Sequence, residues 1–265
     1  MKKQTKLGQN FLVDHTIIKK IIQESRINKD DVIYEVGTGK GILTTELCKI
    51  SKFVHSFELD SILYSRCKRN LTHENLELLN LDGFNEHLTI PFDVFFSSLP
   101  YYESRNAITW LCQRDFRKGI ILLQREFVEK LLSKPGEKNY RAITILSQYR
   151  FLISMLLDVP STSFSPSPKV DSVLIEICPR TLPLTNKVIK DIQFLLSFRK
   201  KTISFIVNYF KKNYNRDFDG FDYNGFGKNK LVNLSPEDIV RFSTYLNDGT
   251  FNNKQMMVNG NKSQP

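Results

Sequence analysis

Several features are missing from this 265-residue chain, and each absence narrows what it can be. The four cysteines, Cys48, Cys67, Cys112 and Cys178, stand far apart with no Cys-x-x-Cys pair. That spacing encodes neither a disulfide framework nor a cysteine metal site, and it reads as reduced thiols filling a core. His15, His55, His73 and His87 likewise lack a metal-ligand spacing, so no metal is expected. No apolar run approaches the roughly 20 residues of a membrane span. The basic Lys2-Lys3-Gln4-Thr5-Lys6 is not followed by the long apolar stretch of a secretion signal. A cytoplasmic protein that touches no membrane is the expectation. Neither the Gly-x-Gly-x-x-Gly of a dinucleotide fold nor a phosphate-loop lysine followed by a hydroxyl residue is present.

What is present is a hydrophobic fraction of 41% with 25% charged residues, enough for one large domain or a large and a small one. The formal net charge is +10, an excess that suits a polyanionic partner, nucleic acid before a small metabolite.

Taken in order, Asp14 reads as the N-cap of a helix whose Ile17, Ile18, Ile21 and Ile22 share one face. Val32–Val36 reads as a strand running into Gly37-Thr38-Gly39-Lys40-Gly41, and Ile42–Leu47 as a helix. Strand, glycine turn and helix form the nucleoside-binding unit of a doubly wound fold, because glycine admits positive φ and close approach of a ligand to backbone. Phe53–Phe57 and Leu76–Leu79 read as the next strands, with Glu58 and Asp82 just beyond them. A carboxylate about 20 residues past the glycines is placed to accept from ribose hydroxyls. Asp60 reads as a helix cap. Together the glycines, Glu58 and Asp82 fit S-adenosylmethionine, with backbone near its methionine part and carboxylates for ribose and adenine. Pro91–Val94 opens a fourth strand that leads to Ser97-Ser98-Leu99-Pro100-Tyr101, where a hydroxyl, a carbonyl and an aromatic ring would meet at a strand end. Gly119–Leu123 reads as a fifth strand, with helices over 104–113 and 125–132.

Ala142–Leu146 continues the core, Phe151–Val159 is rich in strand formers, and Val173–Ile177 reads as a last, antiparallel strand. The prolines of 160–168 confine that stretch to a loop. Pro179 and Pro183 mark an expected boundary between a catalytic domain, 1–180, and a helical domain, 181–248. Apolar residues recur there at helical spacing, Ser235 and Pro236 suit an N-cap and first helical residue, and Arg199-Lys200-Lys201 and Lys211-Lys212 give a basic face. The stretch 249–265 reads as a disordered tail.

These motifs, in this order, closely resemble the rRNA adenine N6-dimethyltransferase family. Gly8-Gln9-Asn10-Phe11-Leu12 is similar to its N-terminal cofactor motif, and Glu35–Gly39 to its glycine motif. Phe57–Asp60 and Asp82 match the ribose and adenine positions, and Ser98-Leu99-Pro100-Tyr101 its catalytic Asn-Leu/Ile-Pro-Tyr/Phe. Gln124-Arg125-Glu126, Phe164–Ser172 and Phe198–Thr202 extend the likeness to about residue 245, and the last two resemble the small-subunit (KsgA-type) branch. The resemblance implies a seven-strand, mostly parallel class I methyltransferase sheet, a helical C-terminal domain and a monomer. It implies dimethylation of two adjacent adenosines near the 3′ end of small-subunit rRNA, without a metal.

By the same resemblance, Ser98, Leu99, Pro100 and Tyr101 are catalytic, and Asn10, Leu12, Gly37, Gly39, Glu58, Asp82 and Ser98 hold S-adenosylmethionine. Tyr101 and Phe164 flank the target base, while Lys3, Lys6, Arg199, Lys200 and Lys201 meet phosphates. Ser98 departs from the family's asparagine: a hydroxyl accepts a hydrogen bond but reaches less far than an amide carbonyl. Two other readings stay open on sequence, a large-subunit dimethyltransferase of the macrolide-resistance type and a non-catalytic RNA-binding assembly factor.

Overall fold

The computed structural model describes residues 10–214 and 227–248; the N-terminal Lys3 and Lys6 and the tail from 249 lie outside them. The elements run β1 (Phe11–Leu12), α1 (His15–Ser25), β2 (Val32–Val36), α2 (Ile42–Ile50), β3 (Phe53–Phe57), α3 (Ser61–Asn70), β4 (Leu76–Leu79), β5 (Val94–Ser97) and α4 (Ser104–Leu111). They continue with β6 (Lys118–Gln124), α5 (Arg125–Leu131), α6 (Ala142–Arg150), β7 (Phe151–Val159), β8 (Phe164–Ser165), β9 (Ser172–Pro179), α7 (Asn186–Leu195), α8 (Ile203–Tyr214) and α9 (Pro236–Asp248).

Short β-branched and aromatic runs become the strands of one seven-stranded sheet, ordered β4-β3-β2-β5-β6-β9-β7. The first five are mutually parallel, and β9 runs antiparallel to both β6 and β7. Strands β2 and β5 are full of buried residues, as a sheet covered on both faces requires. The order reverses at β2, which pairs with β3 on one side and β5 on the other, so Val36 lies level with both Phe57 and Ser97. That switch point opens the crevice where doubly wound sheets bind ligands.

Local chemistry sets the boundaries. The carboxylate of Asp14 accepts from the Thr16 and Ile17 amides at the start of α1, and Asp60 does the same for Ile62 and Leu63 at α3. Ser235 caps α9 as expected, its Oγ accepting from the Asp238 amide at 3.1 Å. The fourth strand starts later than Pro91. The Asp93 carboxylate instead accepts from the Val32 amide at 2.8 Å and closes the bottom of the pair.

Residues 143–146 are buried as expected, with Ala142 packed at their edge, and the stretch is helical, forming the start of α6. Thr144 Oγ1 donates to the Lys130 carbonyl at 2.8 Å, and Gln148 Nε2 donates to those of Leu131 and Ser133. A helix brings residues four apart to within about 6 Å on one face, close enough to satisfy the end of α5 together, whereas a strand would hold them about 13 Å apart. Pro179 ends β9, and Pro183 falls in the connection to α7. One buried apolar cluster nevertheless runs across it, from Trp110 and Leu146 to Ile192 and Leu246. The fully buried Arg150 binds the Arg114 carbonyl at 2.7 Å and that of Thr181, tying α6 to this connection.

Candidate active site

Strand β2 runs into a turn in which Gly37, Gly39 and Gly41 have φ of 91°, 58° and 79°. L-residues with side chains rarely adopt these values. A Cβ on Gly37 would stand 3.3 Å from Leu99 Cδ2, so the turn and the Ser98–Pro100 segment after β5 approach each other closely. Beneath the turn, register sets Glu35 opposite Ser56. Glu35 Oε2 accepts from Ser56 Oγ at 2.6 Å and Thr44 Oγ1 at 2.7 Å, and Ser56 Oγ is 2.7 Å from Thr38 Oγ1. Burial pushes the Glu35 carboxyl up to about 7, against the two hydroxyl bonds that lower it.

Glu58, at the end of β3, takes the Gly39 amide at 2.7 Å on one oxygen and the Asp60 amide at 2.9 Å on the other. Burial raises its pKa, and these amides oppose the rise. Each carboxylate oxygen keeps a further lone pair for a ligand hydroxyl. Asp82, just past β4, holds the Phe84 amide at 2.9 Å.

The resulting cleft encloses about 170 Å³. Four carboxylates, Glu58, Asp60, Asp82 and Glu103, line it, with no lysine or arginine lining it among the described residues. In a chain of net charge +10, this is a local reversal of sign. A second cavity, a narrow slot of about 10 Å³, lies among Asn10, Ser98, Leu99, Pro100, Tyr101, Leu122 and Phe164. A third, of about 50 Å³, sits at the glycine turn by Lys40. Asn10 and Ser98 line all three.

Two short-range devices hold the slot together. The β1–β8 pairing sets Leu12 opposite Phe164, which brings the N-terminal motif beside the proline-rich loop. The Tyr101 hydroxyl stands 2.9 Å from Ser172 Oγ. Ser97 turns its hydroxyl to the Val36 carbonyl at 3.1 Å, whereas that of Ser98 has no hydrogen-bond partner among the described residues.

Asn10, Gly37, Gly39, Glu58, Asp82, Ser98, Leu99 and Pro100 therefore meet at the main cleft, and Tyr101 and Phe164 at the adjoining slot. Leu12 is buried in the apolar cluster that also holds the α1 isoleucines and Leu47 of α2, and it lines only the third cavity. Arg199, Lys200 and Lys201 lie between α7 and α8, outside these cavities. Arg199 Nη1 donates to the Lys138 carbonyl at 3.3 Å, and Lys201 Nζ sits 4.8 Å above the Phe205 ring. Sequence reasoning missed Phe84, Tyr102, Glu103 and Asn106 as walls. The one available signal was Glu103 and Asn106 three residues apart after the proline, on one face of a helix start. Asn106 Nδ2 donates to Glu103 Oε2 at 3.1 Å. Asp60 is both the expected cap and a wall.

A family model described as "Ribosomal RNA adenine dimethylase" matches residues 1–248. A probable ribosomal RNA small subunit methyltransferase A from Methanococcus aeolicus is 35% identical over 188 residues, covering 70% of this chain and 69% of that one. Its counterpart from Thermococcus gammatolerans is 27% identical over 250 residues, 91% of this chain and 88% of that one. Among solved structures, a dimethyladenosine transferase from Plasmodium falciparum matches with a TM-score of 0.72 and 25% identity, covering 88% of this chain and 95% of that one.

Proposed function

The chain belongs to the ribosomal RNA adenine dimethylase family, whose methyl donor is S-adenosylmethionine, and on that premise we propose that it dimethylates N6 of two adjacent adenosines near the 3′ end of small-subunit rRNA during ribosome assembly. The small-subunit assignment is supported by the names of its relatives. One observation carries the reading of the site: Asn10, Ser98, Leu99 and Pro100 form the wall shared by the acidic cleft and the Tyr101 slot. A group passed from the cleft to a base beside Tyr101 has to cross there.

The residues present fit the donor. The glycine turn would be filled by side chains, Glu58 can still accept from ribose hydroxyls, and a cleft walled by carboxylates suits a cation. S-adenosylmethionine, when bound, supplies an electrophilic methyl group on a sulfonium. In our reading Asn10, Gly37, Gly39, Glu58 and Asp82 hold it, while Leu12 supports the turn from behind.

The amine of adenine is a poor nucleophile because its lone pair is delocalised into the ring. The Ser98 hydroxyl and the Leu99 carbonyl accept its two N–H groups and favour a pyramidal nitrogen that can attack. This is catalysis by positioning and electrostatics, and it asks for no strong base. Pro100 stiffens the turn, and Tyr101 and Phe164 flank a base taken out of its stack. Arg199, Lys200 and Lys201, on the helical part from 181 to 248, meet the phosphates of RNA recruited to the catalytic part, 1–180, of a monomer.

The test is methyl transfer from S-adenosylmethionine to undermethylated small and large subunits offered together, with the modified nucleotides mapped by mass spectrometry. Adjacent dimethyladenosines, lost in Tyr101→Ala, are the expected result. Label confined to large-subunit rRNA, or no transfer at all, overturns the proposal.

A further inference from the structure

The catalytic segment has a hydrogen-bonded neighbour to which nothing above assigns a role. Ser172 is fully buried at the first position of β9. It is held from both sides, paired with Gln124 of β6 and with Val159 of β7. The residue before it is pinned as well: the Asp171 carbonyl accepts from the Arg125 amide at 3.1 Å, and its Oδ1 accepts from the Ser161 amide at 2.8 Å. A hydroxyl so anchored has little freedom, and it stands 2.9 Å from the phenol oxygen of half-buried Tyr101.

Tyr101 itself sits in a three-residue 3₁₀ turn, Tyr101–Glu103, a short element that by itself fixes a ring only loosely. Phe164 also lines the slot; it belongs to a two-residue strand paired with β1, and its ring is buried in the apolar cluster that holds Leu12 and Leu122. The slot's 10 Å³ is far below what a purine needs, so one wall has to give way for a base to enter.

From this geometry we propose that Ser172 is a positioning residue. It clamps the Tyr101 ring to the sheet as the stationary wall against which the target adenine stacks. The inference rests on the proposed adenine site. It adds that the tilt of the platform is set by a residue 71 positions away in sequence.

The test compares Ser172→Ala, Ser172→Thr, Tyr101→Phe and the double variant Tyr101→Phe/Ser172→Ala. Loss of one neutral hydrogen bond corresponds to roughly a five- to tenfold effect. Ser172→Ala is expected to lower kcat/KM for small subunits by that factor, with S-adenosylmethionine affinity and melting temperature unchanged. Ser172→Thr, which keeps the hydroxyl, restores the rate. Tyr101→Phe reproduces the loss, and the double variant adds nothing to either single one.

A second readout needs no turnover: quenching of 2-aminopurine in an oligoribonucleotide as the base stacks on Tyr101, expected to weaken in Ser172→Ala. Single-variant losses that multiply in the double variant overturn the proposal. So does a fall in donor affinity and melting temperature matching the fall in rate, or quenching that Ser172→Ala leaves intact. A wild-type protein inactive on small subunits sinks the functional reading instead, and the quenching comparison still decides the role of Ser172.

Discussion

Glu35 makes the pH dependence of this fold calculable. Its carboxyl is 2% exposed beneath the glycine turn and is pushed up to about 7 from an ordinary 4.5, first by burial. A raised carboxyl binds its proton more tightly folded than unfolded. Its contribution to stability is therefore complete below pH 4.5, declines as the pH rises, and is lost above 7. At 1.36 kcal/mol per pH unit, the gap amounts to about 3 kcal/mol.

Glu35→Gln isolates this effect. The amide oxygen can accept from Ser56 and Thr44 as Oε2 does, and the side chain carries no charge at any pH. The variant and the wild type should differ by less than ~1 kcal/mol at pH 5, and the variant should be more stable by about 3 kcal/mol at pH 8. For a chain of this size that is a gap of roughly 5–10 °C in melting temperature. Thermal denaturation of the ligand-free protein from pH 5 to 8 measures it. Glu58 is also raised and its charge is one cause of the Glu35 shift, so the difference between the two proteins reports Glu35 together with that coupling. A difference that stays constant across this range refutes the reasoning, because Glu35 would then hold one charge state throughout.

Three further outcomes can be checked. Ser98→Ala should slow single-turnover methyl transfer by about 10²–10³-fold, while Ser98→Asn, with its longer reach, should transfer faster than the wild type; equal rates in all three remove Ser98 from the chemistry. Glu58→Gln should weaken S-adenosylmethionine binding about tenfold by calorimetry, since a charged acceptor for the ribose becomes neutral, and unchanged affinity contradicts its assignment. Gly83→Ala would place a Cβ 2.7 Å from Val36 Cγ2 and 3.1 Å from Phe57 Cβ, and should destabilise the fold by about 1–3 kcal/mol in urea titration; a neutral result means the cleft floor is looser than drawn.

The strands β2, β3 and β4 were legible residue for residue, because their apolar runs are bounded by polar turns. The caps Asp14, Asp60 and Ser235 were legible because a helix start leaves amides that a side-chain oxygen can satisfy. The helical state of α6 was hidden in a β-branched run, Ala142-Ile143-Thr144-Ile145, and was decided by tertiary partners at Lys130 and Leu131. The cleft's glycines, Glu58 and Asp82 announced themselves through their order along the chain. Glu103 did not, since an acidic residue at a helix start is ordinary, and its place on the wall follows from the turn at Pro100. Nor could Ser172 be linked to Tyr101, because the contact depends on where β9 enters the sheet.

The acidic lining of the cleft bears on turnover as much as on capture. A wall of four carboxylates, with no lysine or arginine lining it among the described residues, holds a positive guest better than a neutral one of the same shape. S-adenosylmethionine brings a sulfonium charge, and once the methyl has gone the remaining thioether has none. The carboxylate wall therefore holds the spent molecule by one attraction fewer. Because two methyl groups on one nitrogen consume two donors, that loss of attraction recurs at each transfer.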